Sequence, residues 1–303
     1  KRHLPAALAL AGITVMILAI ARPATTLVLP SQRGTVILAM DVSGSMRADD
    51  VEPNRLKAAQ AAAVEFVNNQ PRNVRIGVVA FGGGAALVQA PTIERSEVLS
   101  SIERFRTQFG TAIGSGVLAS LAAVFEESAV GDQLTAAQQS PGGDNPGGGG
   151  GGFFGGGLSD VPELDAEPVE PGSYESAVVI LLTDGQATHG PDPVQAAQIA
   201  ADLGVRVYTV GLGTTEGTVL RFMGRAMRVR LDEETLQTIA DRTRGQFFRA
   251  ENQSELAEVY QSLRSRFITE EQETEVTAFA TALAALFILA SASLSLLWFG
   301  RPF

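Results

Sequence analysis

Four short runs in the middle of the chain are apolar almost without interruption: 35–40 (TVILAM), 75–81 (RIGVVAF), 177–182 (AVVILL) and 205–210 (VRVYTV). A strand with one solvated face alternates apolar and polar residues, whereas a strand that does not alternate is covered on both faces. Between these runs lie stretches with apolar residues at helical spacing. The clearest is 55–69, opened by Pro53-Asn54 and carrying Leu56, Ala59, Ala63, Phe66 and Val67 on one face. Further helices are expected at 96–105, with Ser96 as N-cap, and at 113–125, 193–203, 232–243 and 254–266. A strand is expected at 246–249 and a short edge strand at 86–90. Alternation of doubly covered strands with helices implies an α/β domain over 34–267. Its expected form is a Rossmann-like, doubly wound, mostly parallel sheet with helices on both faces.

One tract interrupts this pattern. Residues 130–171 include PGGDNPGGGGGGFFGGGLSD, whose glycines cannot repay their ordering entropy by burial, and a surface insertion is expected there. Phe153-Phe154 within it is a candidate contact point on an otherwise polar loop.

The two ends differ in kind from the middle. Residues 4–21 (LPAALALAGITVMILAIA) and 276–299 (VTAFATALAALFILASASLSLLWF) carry no charge. Each is about long enough for a helix to cross the roughly 30 Å hydrocarbon core, and Trp298 sits where an interfacial ring belongs. Two flanking transmembrane helices are expected. A secretory signal is the competing reading of the first, with Lys1-Arg2-His3 ahead of it and Ala19-Ile20-Ala21 as a cleavage site; the missing start methionine weakens that alternative. Lys1, Arg2 and Arg301 lie on the outer flanks and Glu270, Glu271, Glu273 and Glu275 on an inner one, although Arg22 and Arg33 pull the other way. The positive-inside bias then puts the two ends on the cytoplasmic side of the membrane and the middle of the chain on the other.

Composition removes several function classes. The formal net charge of −10 argues against nucleic acid, whose binding depends on neutralising phosphates with Lys and Arg. With no cysteine, thiolate metal sites and Cys nucleophiles are excluded. The only histidines, His3 and His189, sit in no metal or triad motif.

What remains is a cluster of oxygens. Asp41, Ser43 and Ser45 follow the first buried strand in AMDVSGSM, and Asp184 follows the third in LLTDG. Ligands of open parallel sheets bind outside the carboxyl ends of the strands, and adjacent central strands bring both acids to one rim. Carboxylates with hydroxyls and no Cys or His suit hard cations: Mg²⁺, Mn²⁺ or Ca²⁺. Asp, Ser and Gly are also ordinary turn residues, so the first triplet alone carries little weight.

In these residues the chain resembles the von Willebrand factor type A domains, which carry a metal-ion-dependent adhesion site (MIDAS). The D-x-S-x-S of that family is matched by Asp41, Ser43 and Ser45, its later Thr by Thr111 in FGTAIGSG, and its second Asp by Asp184. The resemblance covers about 34–267. It implies that the hydroxyls of Ser43, Ser45 and Thr111 and the two aspartates hold a divalent cation, Mg²⁺ foremost. A position would be left for a carboxylate from a protein partner. Such a device binds; it needs no general base or activated nucleophile, so no enzyme is implied. With flanking membrane helices and DVSGSMRADDVEPNRL, the chain is also similar to the bacterial aerotolerance (Bat-type) proteins. That resemblance implies work with a MoxR-type AAA ATPase and related von Willebrand A proteins in assembly, maturation or stress tolerance of envelope complexes.

The rival class is an enzyme. An Asp after the first strand of such a sheet also describes the haloacid dehalogenase-like, Mg-dependent phosphotransferases. Their second Asp, two residues on, is replaced here by Ser43, and no phosphate-binding Lys stands at the expected place. Other features have plain readings. Arg221, Arg225, Arg228 and Arg230 form a basic segment of solvated loop arginines, or a contact for an acidic partner. His189 lies near Asp184 as a lone loop histidine. Asp49, Asp50 and Glu52 read as acids at a helix N-terminus, or as negative potential near the cation.

Overall fold

The computed structural model describes residues 4–20, 24–27, 34–139, 158–159, 164–214, 217–222, 225–268, 272–275, 281 and 284–293. Its contacts divide the chain into two units: Gln32–Phe267, and Lys1–Ser31 with Ile268–Phe303. The first half of the chain runs α1 (Leu4–Ile20), β1 (Ala24–Leu27), β2 (Thr35–Asp41), a 3₁₀ turn (Gly44–Arg47), α2 (Arg55–Asn69), β3 (Arg75–Phe81), β4 (Ala85–Thr92), α3 (Arg95–Glu103), α4 (Ile113–Val124) and α5 (Ala129–Gln139). The second half runs β5 (Leu158–Ser159), β6 (Ala177–Thr183), β7 (Gly190–Pro191), α6 (Pro193–Asp202), β8 (Arg206–Leu212), β9 (Thr218–Phe222), β10 (Arg225–Val229), α7 (Glu233–Arg242), β11 (Phe247–Ala250), α8 (Gln253–Ile268) and β12 (Gln272–Glu275).

In the larger unit, six strands form one sheet in the order β11-β8-β6-β2-β3-β4. All neighbours are parallel except β4, which returns antiparallel beside β3 and closes one edge. The unalternating runs are the central strands, and their residues divide by parity. Val36, Leu38 and Met40 of β2 enter a core with α2, α3 and α8, while Ile37 and Ala39 enter a second core with α4, α5, α6 and α7. This is the period of two expected for side chains on opposite faces of a pleated strand. Full burial of a side chain such as Ile37 contributes roughly 1.5–3 kcal/mol. Asn54 caps α2 by accepting from the Lys57 backbone N–H at 2.9 Å, and Phe66 stacks against Tyr260 of α8 with ring centroids 5.0 Å apart.

Four local expectations change. Ser96 is not the N-cap of α3: the helix starts at Arg95, and the hydroxyl of Thr92 instead accepts from the Glu94 N–H. The edge strand is longer than 86–90 and carries Pro91, which an edge strand tolerates because its outer N–H groups need no ladder partner. Residues 130–139, given to the insertion by composition, belong to α5, anchored by the fully buried Leu134. Arg221, Arg225 and Arg228 lie on an antiparallel hairpin of β9 and β10 rather than in a loop, and Arg230 beyond it is exposed. Phe153-Phe154 and most of the glycine tract lie outside the described residues.

The smaller unit contains α1, the antiparallel pair β1–β12 and a helix over 284–293. α1 packs on that helix through Gly12, where an added Cβ would come within 2.9 Å of Ile288 and 3.4 Å of the Ala284 carbonyl oxygen. Among the described residues no helix is long and apolar enough to cross a membrane; α1 has 17 residues. Of the expected second span, 276–299, only 281 and 284–293 are described.

Candidate functional site

β2, β3 and β6 run in register, so their carboxyl ends form one rim: Asp41 pairs with Phe81, and Met40 with Leu182. Asp41 therefore lies level with Thr183, and Asp184 follows one residue later. The carboxylate of Asp41 organises both neighbours. One oxygen accepts from the Ser43 N–H at 2.7 Å, folding the chain back into the 3₁₀ turn that buries Met46. The other accepts from the Thr183 hydroxyl at 2.6 Å. Ser43 and Ser45 share a hydroxyl–hydroxyl bond of 2.7 Å, and the Ser45 hydroxyl also reaches Asp184.

Thr111 arrives from the loop between α3 and α4. That loop is pinned to the serine turn by the Gln108 N–H donating to the Val42 carbonyl at 2.6 Å. It is pinned to the loop after β6 by the Thr111 N–H donating to the Thr188 hydroxyl, while the Thr111 carbonyl accepts from the N–H groups of Thr188 and His189. His189 serves this strapping, its ring nitrogen 2.8 Å from the Thr188 hydroxyl. Glycines permit the close approach: Gly110 has φ +78°, and a Cβ there would meet Gly83 and the His189 ring at 3.0 Å. Between these fixed residues Phe109 is 68% exposed.

Of the five residues proposed from sequence, Asp41, Ser43, Ser45 and Asp184 lie together at one rim, and Thr111 sits on the loop strapped beside it through its backbone; Asp41 and Asp184 are fully buried and Ser43 and Thr111 nearly so. Burial, and then repulsion from Asp184, push the Asp41 carboxyl up to about 7 despite its bonds from Ser43 and Thr183. Burial also raises Asp184, against the opposing pull of the Ser45 hydroxyl and the Arg55 charge.

Arg55 was not anticipated. It is the first residue of α2, fully buried, with a guanidinium that reaches Asp184 at 3.2 Å and grips Asp50 through two bonds of 2.8 and 2.6 Å. Asp50 is therefore an ion-pair partner rather than a helix-terminal acid. Burial would raise its carboxyl, but the Arg55 bonds and charge, helped by the Thr214 N–H, hold it below the usual carboxylate range. Thr183 is the second residue that sequence reasoning passed over.

The donor set is made of oxygens. Among the described residues no group of three His, Asp or Glu side chains converges as a metal site would require, so any cation here would rest on two carboxylates and hydroxyls. Electrostatics suits a divalent ion: with Asp41, Asp50 and Asp184 ionised, one guanidinium leaves two buried negative charges uncompensated. The phosphotransferase alternative is not favoured. The position two residues after Asp41 is a serine bonded to another serine, and the only lysine of the larger unit, Lys57, lies in the first turn of α2.

Comparisons with known proteins agree on the fold. Profiles of the von Willebrand factor type A domain match residues 36–139 and 169–262. A UPF0353 protein of Nocardia farcinica is 31% identical over 279 residues, covering 88% of this chain and 72% of that protein. Another, from Mycolicibacterium paratuberculosis, is 30% identical over 306 residues, covering 99% of this chain and 80% of that one. Among solved structures, the conserved hypothetical protein BatB of Bacteroides thetaiotaomicron superposes with a TM-score of 0.52 at 23% identity, covering 77% of this chain and 98% of that chain. An aerotolerance-related membrane protein of Bacteroides fragilis gives 0.52 at 20%, covering 78% and 100%. The two profile matches fall on the two halves of one six-stranded sheet, so the chain belongs to the UPF0353 proteins and its larger unit is a von Willebrand factor type A domain.

Proposed function

We propose that this protein binds a protein partner through a divalent cation, Mg²⁺ foremost and Mn²⁺ or Ca²⁺ as alternatives, held at the rim of Asp41, Ser43, Ser45, Thr111 and Asp184. The observation that carries the reading is the pair of buried carboxylates, Asp41 and Asp184, with hydroxyls beside them and one guanidinium shared between Asp184 and Asp50. Asp41 and Asp184 would hold the ion directly or through water, the hydroxyls would complete its oxygen shell, and a partner's carboxylate would take the remaining position. The function is binding rather than catalysis. The hydroxyls of Ser43, Ser45 and Thr183 bond to one another or to the two carboxylates, and the imidazole of His189 is bonded to Thr188.

In the same reading the chain is a multi-pass protein of the bacterial inner membrane with its domain on the extracytoplasmic side. It acts as an adaptor with a MoxR-type AAA ATPase in assembly, maturation or stress tolerance of envelope complexes. Support for anchoring comes from the smaller unit, where the helices meet at Gly12 while Leu10, Ile17, Leu286 and Leu289 are exposed. Small residues inside and large apolar ones outside is the arrangement of helices packed in lipid.

Titration of the full chain in detergent with Mn²⁺, following the free ion by EPR, tests the site. Saturable binding that competes with Mg²⁺ and is lost in Asp41→Ala and Asp184→Ala is expected. Unchanged affinity in both variants would remove these residues from the site.

A further inference from the structure

We infer that Arg55 and Asp50 are a positioning pair that sets the charge, and with it the cation affinity and selectivity, of the Asp41–Asp184 site. This rests on the metal-binding reading above. The guanidinium is shared unequally. Asp50 receives the fork of two short bonds, whereas Asp184 receives a single bond of 3.2 Å to one oxygen, Oδ2. A bidentate carboxylate holds an arginine more firmly than a single long contact. Besides the arginine, the Asp184 carboxylate accepts from the Ser45 hydroxyl, and its Oδ1 has a 3.4 Å contact from the Gln186 N–H, so its other bonds come from the rim rather than from a second arm of the guanidinium.

The arrangement around the pair is closed. The Arg55 N–H donates to the Ala48 carbonyl at 2.9 Å, tying the helix start to the end of the serine turn. Gly213, at φ +125°, leaves the guanidinium its space: a Cβ there would lie 2.6 Å from Arg55 Cζ. The fully buried Arg55 side chain is held between its two acids. Asp50 draws it back from Asp184, and the strength of that pull decides how much positive charge an incoming cation meets.

The consequence has a sign that ordinary structural support lacks. Removing the guanidinium in Arg55→Gln makes the rim more negative and should raise Mn²⁺ affinity about tenfold or more; neutralising Asp50 in Asp50→Asn releases Arg55 to Asp184 and should lower it by a similar factor. The double variant restores the original charge and should return to within about threefold of the parent. If the pair only held the fold together, both single variants would lose affinity.

The test is the Mn²⁺ titration of the full chain in detergent, run beside Tb³⁺ luminescence titration of the same four proteins, with circular dichroism to confirm folding. The ratio of Tb³⁺ to Mn²⁺ affinity should rise in Arg55→Gln and fall in Asp50→Asn, since a trivalent ion feels one unit of local charge more strongly. Should Arg55→Gln fail to fold, the drop in this ratio in Asp50→Asn still decides. Loss of both ions in equal proportion, or an unchanged ratio, would overturn the inference. Parent protein that binds neither ion would overturn the metal-binding reading itself, and this inference with it.

Discussion

The clearest quantitative consequence of the site is that, without a cation, it penalises the fold as pH rises. Asp41 goes from an ordinary 3.8 to about 7 in the folded chain, through burial first and the Asp184 charge second. The folded chain therefore holds a proton that the unfolded chain has released between those pH values, so stability falls as pH rises through that window. Below it the penalty is absent; above about 7 it is complete. At about 1.4 kcal/mol per pH unit, a rise of about three units is on the order of 4 kcal/mol. Asp184, raised in the same direction, adds to the trend. Replacing Asp41 by Asn removes the charge while its amide oxygen can still accept from the Ser43 N–H, so the variant should lose most of the fall. Urea unfolding in a chelator, at half-unit steps from pH 4 to 8.5, measures both proteins. Excess Mg²⁺ at pH 8 should then invert their order, because only the parent gains from binding. Equal stability of the chelated parent at pH 5 and pH 8, or the same slope in Asp41→Asn, would refute the electrostatic argument.

Three simpler outcomes test the frame around the site. Asn54→Ala removes the cap of α2 and should cost about 1 kcal/mol in the same urea assay. Ile37→Ala opens a cavity in the core between β2 and the α4–α7 side of the sheet and should cost about 2–5 kcal/mol. Phe109→Ser alters an exposed ring beside the rim; stability should change by no more than about 0.5 kcal/mol and Mn²⁺ affinity not at all, while metal-dependent partner binding weakens.

Much of this architecture is legible from the chain because its central strands are covered on both sides. TVILAM and AVVILL announce themselves by carrying no charge and no apolar–polar alternation, and they occupy the middle of the sheet as β2 and β6. The helix over 55–69 was readable to the residue for a similar reason: cap chemistry and spacing agree. Elements governed by their neighbours were not. In α5 the amphipathic signal of AVGDQLTAAQQ is overshadowed by the glycines that follow, and the β9–β10 hairpin is too rich in arginine to resemble a strand. The carboxylates could be found because acids after strands are placed by the fold. Arg55 could not: its meaning depends on Asp184, 129 residues away, and a fully buried arginine is exceptional until its partners are known.

The route of the chain through the sheet also bears on the order of folding events. Asp41 and Thr183, joined by one hydrogen bond, are 142 residues apart, and only the parallel pairing of β2 with β6 brings them level. Parallel pairing across such a distance carries a large loop-closure cost and forms late. The rim is thus absent from any intermediate that lacks the central pair. A bound ion would stabilise the finished domain without assisting its assembly, prolonging the life of the native state by slowing its unfolding while the rate of refolding stays as it was.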